Sequence, residues 1–163
     1  IDGVLDIGYI NQYLEDNWAS LFPQFQNTER PDRAVANLLE GKIILIKQYR
    51  YPVDEVIYEI PAGKLETGEK TEDCARRELR EETGYIAEKF TKLFEFFPTP
   101  GYSTETIYIY KAENLEYVGT DLEEGEYIEV VPKSRNELLQ LFKEGRIKDS
   151  KTLIAVMNYL GDF

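Results

Sequence analysis

Residues 63–85 read GKLETGEKTEDCARRELREETGY, and this segment decides the fold and the chemistry that we expect. Its pattern predicts a helix over residues 71–83, ended by a glycine. Glu78, Glu81 and Glu82 lie three and four positions apart, so one helical face carries three carboxylates. Repulsion between them and the helix dipole both oppose this arrangement. A bound cation would reverse the balance, and Mg²⁺ prefers carboxylate oxygens and water as ligands.

An ordinary solvated helix is the alternative interpretation, because Arg76, Arg77 and Arg80 could offset the glutamates. The spacing of the whole segment decides against it. It fits the pattern Gly-x5-Glu-x7-Arg-Glu-Leu-x-Glu-Glu-x-Gly through Gly63, Glu69, Arg77, Glu78, Glu81, Glu82 and Gly84. Chance would produce such a match on the order of 10⁻⁵ times over the chain. The segment resembles the Nudix box, with Tyr85 at a position that is commonly aliphatic. In that family Glu69 and Arg77 mainly brace the loop.

The resemblance implies a fold, a cofactor and a set of metal ligands. The fold is α+β, the Nudix fold, with a mixed β-sheet in an α/β/α sandwich. The cofactor is Mg²⁺, for which Mn²⁺ is a possible substitute. Glu78 and Glu82 would bind metal directly, and the main-chain carbonyl of Ala62 would complete a site. Glu81 would be a further ligand or bridging group and take part in catalysis.

Segments outside the box resemble the ADP-ribose pyrophosphatase subgroup. They are QYRYP at 48–52, EIPAGK at 59–64, FPTPGYSTE at 97–105 and GRIKDSKT at 145–152. This resemblance covers about residues 34–160 and implies hydrolysis of the diphosphate bond of ADP-ribose or a related nucleoside diphosphate sugar. The products would be AMP, or another nucleoside monophosphate, and a sugar phosphate. Arg50, Glu105 and Ser103 would bind substrate, and a bidentate arginine suits a diphosphate.

The general base in this subgroup comes from an acidic loop, which here reads DLEEGEYI at residues 121–128. Alignment on the following strand places Glu124 at the position of the base. Glu126 falls at a catalytic carboxylate that helps to hold metal, and Gly125 would let the loop swing inward. Glu123 is the competing base, because a shift of one residue exchanges the two.

Bulk composition excludes several function classes. A net charge of −12 argues against a nucleic-acid-binding surface. With no histidine, a Ser-His-Asp or Cys-His nucleophile is excluded. One cysteine excludes an internal disulfide. No apolar run approaches the roughly 20 residues that span a bilayer. We therefore expect a cytoplasmic protein that binds neither membrane nor nucleic acid.

The length of 163 residues fits one domain, for which we expect a short extension over residues 1–33 and a Nudix hydrolase domain over residues 34–163. The extension has rough helical spacing and several aromatic residues. By resemblance such an extension contributes to a homodimer, but this one is shorter than is usual in the family, and we favour plain core or interface burial as the explanation of its aromatics.

Periodicity and turn signals predict the remaining elements. Strands are expected at 34–39, 42–49, 56–60, 90–97, 106–111 and 127–131, and later helices at 134–144 and 150–160. The helix at 134–144 should begin with a capping box formed by Ser134 and Glu137.

Two alternatives to ADP-ribose hydrolysis stay open. One is a hydrolase acting on a GDP-mannose-type sugar or an oxidised nucleotide. The other is a Nudix-fold module that binds a nucleotide without cleaving it. Such modules usually lose box glutamates, and this chain keeps all of them.

Overall fold

The computed structural model describes residues 32–39, 41–122 and 127–161. The helical spacing expected near the N terminus lies outside these ranges. So do Glu123, Glu124 and Glu126, and the roles predicted for them stay predictions. The boundary between the extension and the domain likewise stays a prediction.

A mixed sheet forms the centre of the molecule. Its strands are β1 (Asp32–Leu39), β2 (Lys42–Arg50), β3 (Glu55–Glu59), β4 (Ala62–Lys64), β5 (Tyr85–Phe96), β6 (Ile107–Tyr117) and β7 (Ile128–Ser134). The main path runs β3-β2-β1-β6-β5, with β4 paired to β1 and β7 to β2. The β1–β6 pair is parallel and the other pairs are antiparallel. Asp32 of β1 lies opposite both Lys64 and Ile107, which brings β4 and the start of β6 to the same end of the sheet.

Helices cover both faces of this sheet. They are α1 (Thr71–Thr83), α2 (Arg135–Lys143) and α3 (Ser150–Leu160). Alternate residues of a strand point to opposite faces. Ile109 of β6 packs in a cluster with Leu138 of α2 and Val156 of α3, while its neighbour Tyr110 packs with Leu79 of α1. The structure therefore confirms the predicted α/β/α sandwich. Across the described ranges, no helix combines the length and apolarity needed to cross a lipid bilayer.

The strands and later helices predicted within the described residues are present, and the differences lie at their ends and in one additional short strand. The helices α1 and α3 have the predicted bounds. The short strand β4 was not predicted, because Pro61 and Gly63 signal a turn. The strands β5 and β6 are longer than expected, since their outer halves carry charged residues that weaken the apolar signal. In the structure these halves pair with each other, as at Lys89 and Glu113.

The predicted capping box at the start of α2 is confirmed. The Ser134 hydroxyl accepts a hydrogen bond from Glu137 N at 3.4 Å, and the Ser134 N–H donates to Glu137 Oε2 at 2.9 Å. Bonds from the Ser134 hydroxyl and N–H lower the pKa of Glu137 to about 2. The carboxylate therefore stays ionised in the folded protein well below the usual pKa of glutamate.

Replacing Ser134 with alanine should lower the free energy of unfolding by about 1 kcal/mol at neutral pH, because it removes an N-cap acceptor. A group with a lowered folded-state pKa contributes stability above its unfolded pKa and loses it as the pH falls through the folded value. The difference between wild type and Ser134→Ala should thus shrink between pH 4.5 and about 2. Urea unfolding at several pH values measures this. An unchanged difference at low pH would contradict the role of the ionised Glu137.

Candidate active site

The box glycine lies directly against a box glutamate. A Cβ built on Gly63 would sit 1.8 Å from Cδ of Glu78 and 1.9 Å from its Oε1. No side chain larger than hydrogen fits there while Glu78 keeps its position. The middle of β4 therefore packs its main chain onto the Glu78 carboxylate that α1 presents.

A buried glutamate on the same face of α1 contacts the preceding residue of β4. Glu82 is 4% exposed, and its Oε2 accepts a hydrogen bond from Ala62 N at 2.9 Å. Glu78 and Glu82 are one helical turn apart on α1. They meet two adjacent residues of β4, Gly63 and Ala62 respectively. The structure thus brings three of the predicted metal ligands, Ala62, Glu78 and Glu82, to one place.

Arg77 connects the loop between β4 and α1 to two glutamates of the helix. Its Nε donates to Glu69 Oε1 at 3.1 Å and its Nη2 to Lys64 O at 3.0 Å. Its Nη1 donates to Glu78 Oε1 at 2.7 Å and to Glu81 Oε2 at 2.9 Å. Arg77 therefore braces the loop and also supplies positive charge to the acidic face.

The same contacts shift the pKa values of Glu69 and Arg77. Burial acts to raise the pKa of Glu69, but hydrogen bonds from Arg77 and from Glu66 N outweigh it and lower that pKa. Burial likewise acts to lower the pKa of Arg77, and its bonds to Glu69 and Glu78 outweigh that effect and raise it. Both groups are charged at neutral pH.

The donors at this site are of the kind that hold a hard divalent cation: carboxylate oxygens beside a close main-chain approach. In the described part of the chain, no three acidic or cysteine side chains are grouped as a metal centre. In this structure Arg77 donates to Glu78 and Glu81, and the Ala62 amide donates to Glu82. The residues fit a cation by donor type and by the position of the main chain at Gly63.

The segment that leads toward the predicted acidic loop is bonded to the end of α1. Val118 N donates to Gly84 O at 2.7 Å, and Asp121 N donates to Glu81 O at 3.0 Å. Gly84 has φ 77°, and a Cβ there would lie 2.6 Å from the Tyr117 ring. Residues 117–122 therefore run beside the helix that carries the glutamates, immediately before residues 123–126.

Arg50, predicted to bind substrate, is held by a residue that sequence reasoning missed. Its Nε and Nη2 donate to the two carboxylate oxygens of Glu59 at 2.5 and 2.9 Å. Lys151 of α3 donates to the same carboxylate at 2.5 Å. Burial acts to raise the pKa of Glu59, but the bond from Arg50 and the charge of Lys151 outweigh it and lower that pKa. The sequence does contain a signal for this contact, because Glu59 stands between Tyr58 and Ile60 in a strand. A carboxylate that is buried in such a strand is expected to pair with a cation.

The other predicted substrate residues lie in the connection between β5 and β6. Glu105 N donates to the Ser103 hydroxyl at 3.1 Å, so the two residues form a local turn. Two residues further on, Ile107 lies opposite the same Asp32 that pairs with Lys64 of β4. The register therefore places this turn at the same end of the sheet as Lys64, where the loop from β4 to α1 begins.

A family model described as the NUDIX domain matches residues 28–153. The chain belongs to this family. This match includes the whole Nudix box and agrees with the resemblance drawn from its spacing.

Individual relatives and solved structures agree with this membership. An ADP-ribose pyrophosphatase of Bacillus subtilis (strain 168) is 44% identical over 119 residues, which are 72% of this chain and 64% of that protein. A methanol dehydrogenase activator of Bacillus methanolicus is 45% identical, with the same coverage. A GDP-mannose pyrophosphatase of Yersinia pestis is 38% identical over 132 residues, 74% of this chain and 65% of that protein. This Nudix chain thus spans slightly less than two thirds of these relatives' length. The crystal structure of an ADP compounds hydrolase superposes with a TM-score of 0.74 at 22% identity, over 81% of this chain and 71% of that one, and supports the fold.

Proposed function

We propose that this Nudix protein hydrolyses the diphosphate bond of ADP-ribose or a closely related nucleoside diphosphate sugar. The products would be AMP, or another nucleoside monophosphate, and a sugar phosphate. The observation that carries the proposal is the packing of Ala62 and Gly63 against Glu82 and Glu78. The similarity to an ADP-ribose pyrophosphatase supports the choice of substrate.

We propose Mg²⁺ as the metal, with Mn²⁺ as a possible substitute, and Glu78, Glu81, Glu82, Glu126 and the Ala62 carbonyl as its ligands. When bound, the ions would neutralise charge on the diphosphate and act as Lewis acids at phosphorus. The oxygen donors of the described residues suit these ions.

The protein's own residues supply binding and proton transfer. Arg50 would bind the diphosphate with the part of its guanidinium that Glu59 does not occupy. Glu124 would take a proton from the water that attacks one phosphorus. The bond from that phosphorus to the bridging oxygen breaks, and the bridging oxygen leaves with the other phosphate. Charge that develops on these oxygens is what the site must stabilise.

Product analysis tests the proposal. The purified chain is incubated with ADP-ribose and Mg²⁺, and the products are separated by anion-exchange chromatography. We expect AMP and ribose 5-phosphate in equal amounts, loss of turnover in excess chelator, and recovery on adding Mg²⁺ or Mn²⁺. Full turnover in chelator would contradict the metal-dependent mechanism. Binding of ADP-ribose without turnover would favour the non-catalytic module.

A GDP-mannose-type sugar is the second candidate substrate, favoured by the similarity to the Yersinia pestis protein. The same assay with GDP-mannose separates the two. A higher kcat/KM for GDP-mannose than for ADP-ribose would assign the chain to the second substrate.

Two further proposals concern the protein in solution. We propose a homodimer to which the predicted extension, residues 1–33, contributes, and light scattering at several concentrations measures this. A monomer at all concentrations would contradict it. We also propose a cytoplasmic location, consistent with a sequence whose one cysteine, Cys74, is buried.

Replacing Gly63 with alanine should reduce turnover by about 10²-fold, because a displaced ligand no longer meets the metal and small misplacements in a site cost that much. The added Cβ would overlap the Glu78 carboxylate. Since that carboxylate ends a flexible side chain, it can move aside, and the thermal midpoint should change little. Gly101→Ala is the control, because its Cβ would meet no atom within 4 Å. Equal activity of the two variants would remove Glu78 from the site.

A further inference from the structure

A buried carboxylate at the end of β3 joins two cations from distant parts of the chain. Glu59 is 2% exposed, and it receives bonds from Arg50 of β2 and from Lys151 of α3. Lys151 also contacts Asp149 Oδ1 at 3.1 Å. Asp149 caps α3 by accepting from Thr152 N at 2.9 Å. The network is therefore fixed to two strands and a helix end.

Stability alone gives a weak reason for this network. Removing charges from water is costly, and buried ion pairs are often no more stabilising than apolar residues of similar size. What the network does achieve is orientation, because a planar guanidinium bound by both oxygens of one carboxylate has little freedom to rotate.

The way in which Glu59 binds Arg50 leaves part of the guanidinium available. Glu59 takes the side edge, formed by Nε and Nη2. A guanidinium has five N–H donors, so the end edge, Nη1 with the second N–H of Nη2, can still bind two oxygens of a phosphate. The Arg50 side chain is 41% exposed, so solvent or a ligand can reach it. The bond to Glu59 raises the pKa of Arg50, and the charge of Glu82 on α1 adds a smaller effect in the same direction.

We propose that Glu59, itself held by Lys151, is a positioning residue that directs the end edge of Arg50 toward the diphosphate of the substrate. This inference rests on the proposed function. It assigns a role to a residue outside the box, and it makes the start of α3 part of substrate recognition.

Glu59→Gln tests the proposal, with Glu55→Gln as a matched control. Glu55 is a carboxylate on the same strand that also pairs with a lysine near α3, Lys148, but it is exposed. We expect Glu59→Gln to raise KM for ADP-ribose about 10-fold or more with kcat within about three-fold, the pattern of lost ground-state and transition-state binding alike. Affinity for the uncleavable α,β-methylene analogue of ADP-ribose, measured by calorimetry, should fall by the same factor. Glu55→Gln should match wild type in both.

A double-mutant cycle then asks whether Glu59 acts through Arg50. In an Arg50→Ala background, adding Glu59→Gln should change KM by less than two-fold, because the group that it positions is already gone. Additive effects on KM would overturn the proposal. If Glu59→Gln does not fold, Lys151→Met replaces it in the same cycle, with the same expectation.

The outcomes separate this inference from the proposed function. A wild-type chain that cleaves no nucleoside diphosphate sugar would refute the function, and the inference with it. An active wild type with equal KM in Glu59→Gln and Glu55→Gln would refute the inference and leave the function standing.

Discussion

Replacing Glu82 with glutamine should reduce turnover by at least about 10²–10³-fold while the protein stays folded, since charge at the reacting centre is worth that much in rate. The side-chain carbonyl of glutamine can still accept the hydrogen bond from Ala62 N, so the contact between α1 and β4 is kept. What is lost is the negative charge that a divalent cation needs. That charge lies in the last turn of the helix, where the dipole disfavours it. The thermal midpoint of the metal-free protein should therefore be unchanged or slightly higher.

Turnover and the metal-free thermal midpoint must be measured together. Glu72→Gln is the matched control, because Glu72 lies on the same helix in an ion pair with Arg76 and is about half exposed. We expect the control to keep wild-type turnover. Turnover near the wild-type value in Glu82→Gln would exclude Glu82 from the site. A large fall in the midpoint would make its role structural.

Replacing Glu124 with glutamine should lower kcat by about 10²–10⁴-fold with little change in KM, as expected for loss of a general base. The reason is its place in the acidic loop by resemblance, in a chain without histidine. A water acidified by metal needs less help, which favours the lower end of the range. Steady-state kinetics at saturating Mg²⁺ measures both constants.

Two neighbouring glutamates serve as comparisons. If Glu126 helps to hold metal, the defect of Glu126→Gln should ease as Mg²⁺ is raised, whereas that of Glu124→Gln should not. Glu123→Gln should be nearly silent. A crippled Glu123→Gln would shift the assignment by one residue. Activity in all three variants would move the base elsewhere, with Glu105 or a glutamate of the box helix as the next candidate.

The sequence predicts the layers of this fold well, because strong periodicity and capping signals are local. The helix α1 has a 3.6-residue pattern closed by Gly84, and its bounds agree with the structure. The short strand β4 escaped prediction because its pairing depends on β1, about 30 residues earlier in the chain. Strand pairing is a tertiary property that three residues cannot signal by themselves.

The candidate site likewise has a part that local sequence predicts and a part that depends on distant contacts. The box spacing predicts that Glu78 and Glu82 share a face, and the family resemblance implies Ala62 beside them. The structure adds the close approach of Gly63 to Glu78 and the bond from the Ala62 amide to Glu82. The contact between Glu59 and Lys151 joins residues 92 positions apart. No local pattern encodes such a contact, although a carboxylate within an apolar strand predicts that some buried partner exists.

Arg77 has a consequence for the order in which this protein assembles. One guanidinium contacts Glu69, Glu78 and Glu81, so mutual repulsion on the helix face is relieved by the chain itself. Proteins that rely on metal to join their ligands remain unfolded until the metal arrives. Here Arg77 supplies an internal counter-ion, so we expect the polypeptide to reach its native shape in a metal-poor environment. Folding of this protein would then not depend on the supply of metal.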